Sequence, residues 1–260
     1  MKVALCFAGF IEELEDTKEF WNRIISKHDV DVYGSFWKRN DNEIEEFIKL
    51  YNPKKIEIED YSAFENTTQK LAANQIEPPG PPYSLHPYLQ ERAKEFRQMP
   101  IWYKIWKSNL LAGSENYDVI IRARTDIKLD DNFELVQNNM LNIPVGITSV
   151  DFWPDSSGFN DLFAFGSQDI MNYYSLLYIH LMDYVQRGHY AFPPEHMLAV
   201  HLSKTKIPIR FIPSYITISR KARGKENEVY NSFVGTLYED VVWSDSLNFP
   251  INTEITFKKQ

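Results

Sequence analysis

DVIIRARTDIKLDD, residues 118–131, is the stretch on which the rest of the chain turns. Apolar and small positions run straight into Arg122 and Arg124, and Asp126 follows two residues later. A short unbroken apolar run reads as a strand buried on both faces, the usual state of an interior strand in a mostly parallel α/β sheet. In such sheets ligands collect beyond the carboxyl ends of the strands. Two guanidiniums and a carboxylate at that end suit a diphosphate or a divalent cation. Arginine matches phosphate oxygens with paired N–H groups, while magnesium and manganese take oxygen ligands, often one or two carboxylates completed by substrate phosphates. The plainer alternative is a surface ion cluster, which contributes little to stability.

Working outward, the flanking sequence repeats the strand-then-helix rhythm. KVALCFAGF (2–10) is an apolar run ended by Gly9, and IEELEDTKEFWNRIISKH (11–28) carries Leu14, Trp21, Ile24, Ile25 and His28 near helical spacing. VDVYGSFW (30–37) predicts a second strand, NEIEEFIKLY (42–51) a helix with Ile44, Phe47, Ile48 and Tyr51 on one stripe, and KKIEIEDY (54–61) a half-exposed edge strand. This alternation predicts right-handed crossovers and a doubly wound sheet. Residues 62–87, with EPPGPPYSLHP at 77–87, are too rich in Pro and Gly for a regular element. Residues 88–113 predict one helix kinked near Pro100.

Beyond the motif the sequence predicts a turn at Asp130 and Asp131, a short helix around NFELVQNNML (132–141), and strands in VGITSVDFW (145–153) and DLFAFG (161–166). A long helix follows from Ser167, its N-cap, to Gly188. Another opens at Pro194, and IRFIPSYITISR (209–220) supplies the last strands.

At 260 residues the chain is expected to form a single domain. A net charge of −8 argues against general affinity for nucleic acid, because clustered positive charge supplies most of that binding. The one cysteine, Cys6, lies in an apolar run and reads as core packing. The N-terminal run turns acidic too soon for a signal peptide, and no run approaches the roughly 18 apolar residues of a membrane span, so a cytoplasmic protein is expected. There is no P-loop, no Gly-x-Gly-x-x-Gly and no Cys/His cluster with zinc spacing.

The succession MKVALCFAGF, DVDVYGSFW, YNPKKIEIEDY, WYKIWKSNLL, YDVIIRARTDIKL, GFNDLFAFGS and PPEHMLAVHL resembles a group of nucleotide-sugar glycosyltransferases. These occur in bacterial surface-polysaccharide loci and in large DNA viruses that glycosylate their own capsids, where the compartment would be the host cytoplasm. The resemblance spans residue 1 to about 220 and implies the GT-A fold: an α/β, Rossmann-like, mixed but mostly parallel central sheet flanked by helices, with 1–130 as the nucleotide-sugar-binding half and 131–260 as the acceptor-binding half. It implies transfer of a sugar from a nucleoside-diphosphate sugar, a UDP-sugar by first expectation, to a hydroxyl of a glycan acceptor, assisted by Mn²⁺ or Mg²⁺. An Asp-x-Asp element is usual where this chain has Arg124-Thr125-Asp126, so the first carboxylate is missing.

Carried over by position, Asp126 becomes the metal or diphosphate ligand, with Arg122 and Arg124 on the donor. Phe7, Ala8 and Gly9 line the nucleoside pocket; Trp37, Lys107 and Asn109 are weaker donor-side candidates. In GFND, Asp161 is the candidate base for the acceptor hydroxyl, or else a turn cap. Glu195 is the second catalytic candidate, in the first turn of the helix opening at Pro194. His201 could complete a metal site; its spacing of five from His196 puts the two histidines roughly 140° apart on a helix, so they form no paired metal face. A nucleotidyltransferase of similar sheet and a non-catalytic carbohydrate-binding or scaffold protein are the alternatives.

Overall fold

A computed structural model describes residues 1–62, 64, 98–144, 159–187, 194–212, 214, 216–219 and 228–230. Its elements run β1 (Lys2–Gly9), α1 (Leu14–Lys27), β2 (Asp29–Lys38), α2 (Asp41–Tyr51), β3 (Lys55–Asp60), α3 (Gln98–Ala112), β4 (Val119–Ala123), β5 (Ile127–Leu129), β6 (Leu141–Pro144) and β7 (Ala164–Gly166). They continue with α4 (Gln168–Ser175), α5 (Leu177–Gln186), α6 (Pro194–Thr205), β8 (Ile209–Ile212), β9 (Ile216–Ile218) and β10 (Glu228–Tyr230).

Seven strands form one sheet in the order β3-β2-β1-β4-β7-β6-β8. β3, β2, β1 and β4 are parallel, β7 is antiparallel to both neighbours, and β6 and β8 are parallel to each other. The protein is therefore an α/β fold with a mixed, mostly parallel sheet flanked by helices. A small antiparallel sheet, β10-β9-β5, grows from the chain just after Asp126.

Side-chain alternation sorts the core into two layers. Val3, Leu5, Phe7, Val119 and Ile121 pack with α1 and α2 residues such as Trp21 and Phe47. Ala4, Cys6, Ala8 and Ile120 pack with Trp102 and Ile105 of α3, Tyr174 of α4 and Leu198 of α6. Cys6 is buried, as expected, and its thiol is pushed up by burial, which leaves it inert. β3 lies at the sheet edge, matching its alternating sequence. No helix among the described residues is long and apolar enough to cross a membrane.

Several local expectations change. Residues 132–140 form no helix: Asp130 accepts from Asn132 N, and Asn138 accepts from both Met140 N and Asn142 Nδ2. Asn and Asp side chains compete with helical backbone bonds in this way. The described part of α3 includes Pro100 and runs to Ala112, and the junction with residues 88–97, where the kink is expected, lies outside the described residues. The long helix after Ser167 is two helices, because the N–H of Leu176 bonds to both Asn172 and Tyr173 carbonyls in a tight turn. Ser167 meets α4 through its backbone carbonyl, not its hydroxyl. The strands β5 and β6 were not foreseen, being three and four residues long. Trp37 lies within β2, which runs one residue beyond it. The Pro/Gly stretch at 65–87, the helix half at 88–97 and the strand at 145–153 lie outside the described residues.

The amino edge of the sheet is tied by polar groups. Tyr117 donates to Asp31 at 2.6 Å, and the Tyr33 and Tyr117 hydroxyls are 2.6 Å apart. Lys54 and Lys2 both reach Glu115, at 2.5 and 2.9 Å. Those two hydrogen-bonded ammonium groups hold the Glu115 carboxyl at about 2, below its ordinary 4.5. A depressed carboxylate stabilises the fold above its ordinary pKa and loses that contribution as pH falls through the lower one. Glu115→Gln is thus expected to lower the melting temperature at neutral pH, with the gap to wild type closing as the pH drops from 4.5 towards 2. A gap unchanged across that window in thermal melts would remove the linkage.

Candidate functional site

The parallel order brings Gly9 at the end of β1 and Ala123 at the end of β4 to one edge of the sheet. β7 runs the other way, with Ala164 opposite Arg122, so the loop that carries Asp161 into β7 returns beside the residues leaving β4. One strand end supplies Arg122, Arg124 and Asp126, and topology brings Asp161 beside them.

The 124–126 turn is fixed from three sides. Thr125 accepts from Glu12 N at 2.8 Å, Thr17 of α1 donates to the Thr125 carbonyl at 2.6 Å, and Ser219 N donates to the Asp126 carbonyl at 2.8 Å. Thr125 is 1% exposed and Asp126 2%. The motif is a rigid, buried corner rather than a surface cluster.

Within it, Arg124 grips Asp126 with a two-pronged fork, Nε to Oδ1 at 2.8 Å and Nη2 to Oδ2 at 2.6 Å. Burial works against the Arg124 charge, but Asp126, Asp161 and Glu12 outweigh it and hold the guanidinium firmly cationic. Arg122 is different. It is 3% exposed, and its Nε and Nη1 are buried with no hydrogen-bond partner. Burial pulls its pKa down against the fields of Tyr174 and Asp161, yet an arginine stays protonated in any protein interior. Above it the buried Tyr174 hydroxyl also lacks a partner, and burial pushes that phenol up. Unsatisfied buried groups of this kind cost free energy and call for a partner such as an ordered water, an ion or a ligand.

Asp161 is 5% exposed, and the turn at GFND is closed by its neighbour: Asn160 Oδ1 accepts from Leu162 N at 2.9 Å. The turn-capping role weighed for Asp161 therefore belongs to Asn160, and the Asp161 carboxylate has no hydrogen bond or ion pair among the described residues. Glu195, 8% exposed, joins this region through its backbone, its carbonyl accepting from Phe159 N at 3.2 Å.

Gly9 adopts φ +112°, and nothing lies within 4 Å of where a Cβ would stand, so the requirement there is conformational and the space beside it is open. Ala8 packs on the α3 side. Phe7 is 0% exposed, with its ring edge-on to Trp21 and Phe47 at 5.1 and 5.5 Å; its side chain is core, not pocket wall.

The weaker donor-side candidates are held elsewhere. Lys107 pairs with Glu57 at 3.0 Å, Asn109 donates to Asn172 at 2.7 Å, and Trp37 lies 4.1 Å below the Lys104 ammonium. His201 has both ring nitrogens engaged, Nδ1 with the Tyr184 hydroxyl at 2.9 Å and Nε2 with the Tyr173 carbonyl at 2.7 Å. Burial pulls it down to about 4, so it is a neutral tie between α6 and the α4–α5 pair.

Sequence reading passed over two contributors. In the sequence Thr125 is the spacer between Arg124 and Asp126, and Tyr174 is one aromatic position inside the helix after Ser167. Nothing local signals either role.

A divalent cation expected at Asp126 and His201 does not fit this donor set. Both Asp126 oxygens accept from Arg124, both His201 nitrogens are engaged, and the described residues contain no group of three or more His, Cys, Asp or Glu able to hold a metal. No family model matches this chain, and no curated protein matches it.

Proposed function

We propose that the protein is a GT-A-like glycosyltransferase, a single catalytic domain that takes a nucleoside-diphosphate sugar and passes the sugar to a glycan hydroxyl. The observation that carries the reading is Arg122, a buried cation at the carboxyl end of the central strand with two nitrogens left unpartnered. A doubly charged, many-oxygened diphosphate supplies the acceptors it lacks, through the charge-assisted bonds that arginine makes best. The strand order and the open space at Gly9 support a nucleoside beside the end of β1.

In this reading Arg122 and the outer edge of Arg124 bind the diphosphate and stabilise the charge that builds on it as the glycosidic bond to the phosphate oxygen breaks. Asp161 takes the proton of the acceptor hydroxyl as its oxygen bonds to the anomeric carbon. The fixed corner at Thr125 keeps these groups from relaxing towards one another, so their orientation is set before the donor arrives.

The test is calorimetry with UDP and GDP, followed by transfer assays across UDP-, GDP- and dTDP-sugars. Asp161→Asn is expected to keep nucleotide binding and lose about 10²- to 10⁴-fold in transfer. Full transfer by that variant removes Asp161 from the chemistry. Binding of neither nucleotide removes the glycosyltransferase reading and leaves a carbohydrate-binding scaffold.

A further inference from the structure

Arg124 stands where an acid would be needed to share a cation with Asp126, and its guanidinium, partly exposed, holds both oxygens of that buried carboxylate. Resting on the nucleoside-diphosphate reading above, we infer that Arg124 itself does the work of the divalent cation, so that the diphosphate binds without Mn²⁺ or Mg²⁺.

Three observations carry this. The first is the fork, which occupies both oxygens of Asp126, a residue 2% exposed on a corner pinned through Thr125 and Ser219. The carboxylate has little freedom to turn to a second partner. The second is donor arithmetic. A guanidinium has five N–H donors, and the fork takes two of them, leaving the opposite edge of Arg124 for phosphate oxygens. With 29% of its side-chain surface exposed, that arginine is accessible where Asp126 is not.

The third is charge. Arg122 and Arg124 are close enough to oppose one another, and Asp126 and Asp161, joined at Arg124 by Glu12, are the carboxylates that offset them. A metal ion would add two positive charges to a buried corner holding two guanidiniums, and it would have to draw Asp126 away from Arg124 to gain its first protein ligand. A diphosphate, by contrast, meets the remaining N–H donors of Arg124 and leaves its fork to Asp126 intact.

The experiment measures binding of UDP and GDP by calorimetry, once with excess EDTA and once with Mn²⁺, alongside the electron paramagnetic resonance signal of Mn²⁺ titrated into the protein–nucleotide mixture. The expected result is affinity equal within about twofold in the two conditions. The Mn²⁺ signal should match that of the free nucleotide mixture without protein. Arg124→Ala is expected to lose roughly tenfold or more in EDTA. Binding that vanishes in EDTA and returns with Mn²⁺ overturns the inference while leaving the nucleotide reading intact. Arg124→Ala binding as tightly as wild type in EDTA overturns it as well. Failure of wild type to bind either nucleotide in both conditions overturns the nucleotide reading, and the inference with it. The wild-type arms stand whether or not the variant folds.

Discussion

Replacing Arg122 with Met is expected to make the protein more stable and to abolish nucleotide binding. Arg122 sits among the apolar side chains of the α3 face, 3% exposed, with Nε and Nη1 unpartnered. A buried cation without full hydrogen bonding is a net cost to folding, and apolar residues of similar length in such places are often stabilising by about 1–4 kcal/mol. At about 2–4 °C per kcal/mol for a chain of this size, the melting temperature should rise by several degrees. The loss of two charge-assisted hydrogen bonds to the ligand, each worth roughly 1.5–3 kcal/mol, predicts a fall in affinity on the order of 100-fold or more. Scanning calorimetry and nucleotide titration on the same preparation read both effects. A lower melting temperature with binding retained would make Arg122 a structural residue and remove the site.

The second large effect lies in the middle of α3. The Lys104 side chain is 0% exposed, its ammonium bonded to Glu59 at 2.5 Å and resting 4.1 Å from the Trp37 ring, while Tyr103 donates to the other Glu59 oxygen at 2.9 Å. Glu59→Leu leaves that ammonium without its hydrogen-bonded carboxylate, between the Trp37 and Tyr103 rings and in the field of Glu57. Breaking a fully buried pair costs about 3–5 kcal/mol, and this pair, with Glu59 34% exposed, approaches that as an upper figure. That corresponds to roughly 6–20 °C in melting temperature. Adding Lys104→Met to Glu59→Leu should recover most of the loss, since the cost comes from the stranded charge and not from the absence of the pair. A double variant no more stable than Glu59→Leu alone would show that packing around Trp37, rather than charge, governs this corner.

The contrast between these two lysine and arginine sites explains how far the sequence could be followed. Both cations lie in apolar surroundings and neither is marked as buried by its neighbours in the chain. Lys104 reads as a polar interruption of an aromatic helix, and only its distance to Glu59, 45 residues earlier, shows that it is paired. Arg122 closes an apolar run and was singled out for that reason, but its missing partners are a property of the packed interior.

Residues that act through helical spacing or strand alternation were legible: α1, α2, β1 to β4 and α6 stand where the periodicity places them. Short elements were not. β5, with three residues, and β6, with four, carry too few side chains to show a period. The failed helix at 132–141 had the right spacing, and local Asn and Asp bonding decided against it.

By itself, then, the sequence determined the alternating α/β order, the buried central strand and the position of Arg122, Arg124 and Asp126 at its carboxyl end. These follow from hydrophobic periodicity, a local property of the chain. Tertiary structure alone decided the rest: the reversal of β7 that delivers Asp161, the fork that commits Asp126 to Arg124, and the interior that leaves Arg122 unpaired. Each depends on groups distant in sequence, and burial and pairing exist only once the sheet has closed around them.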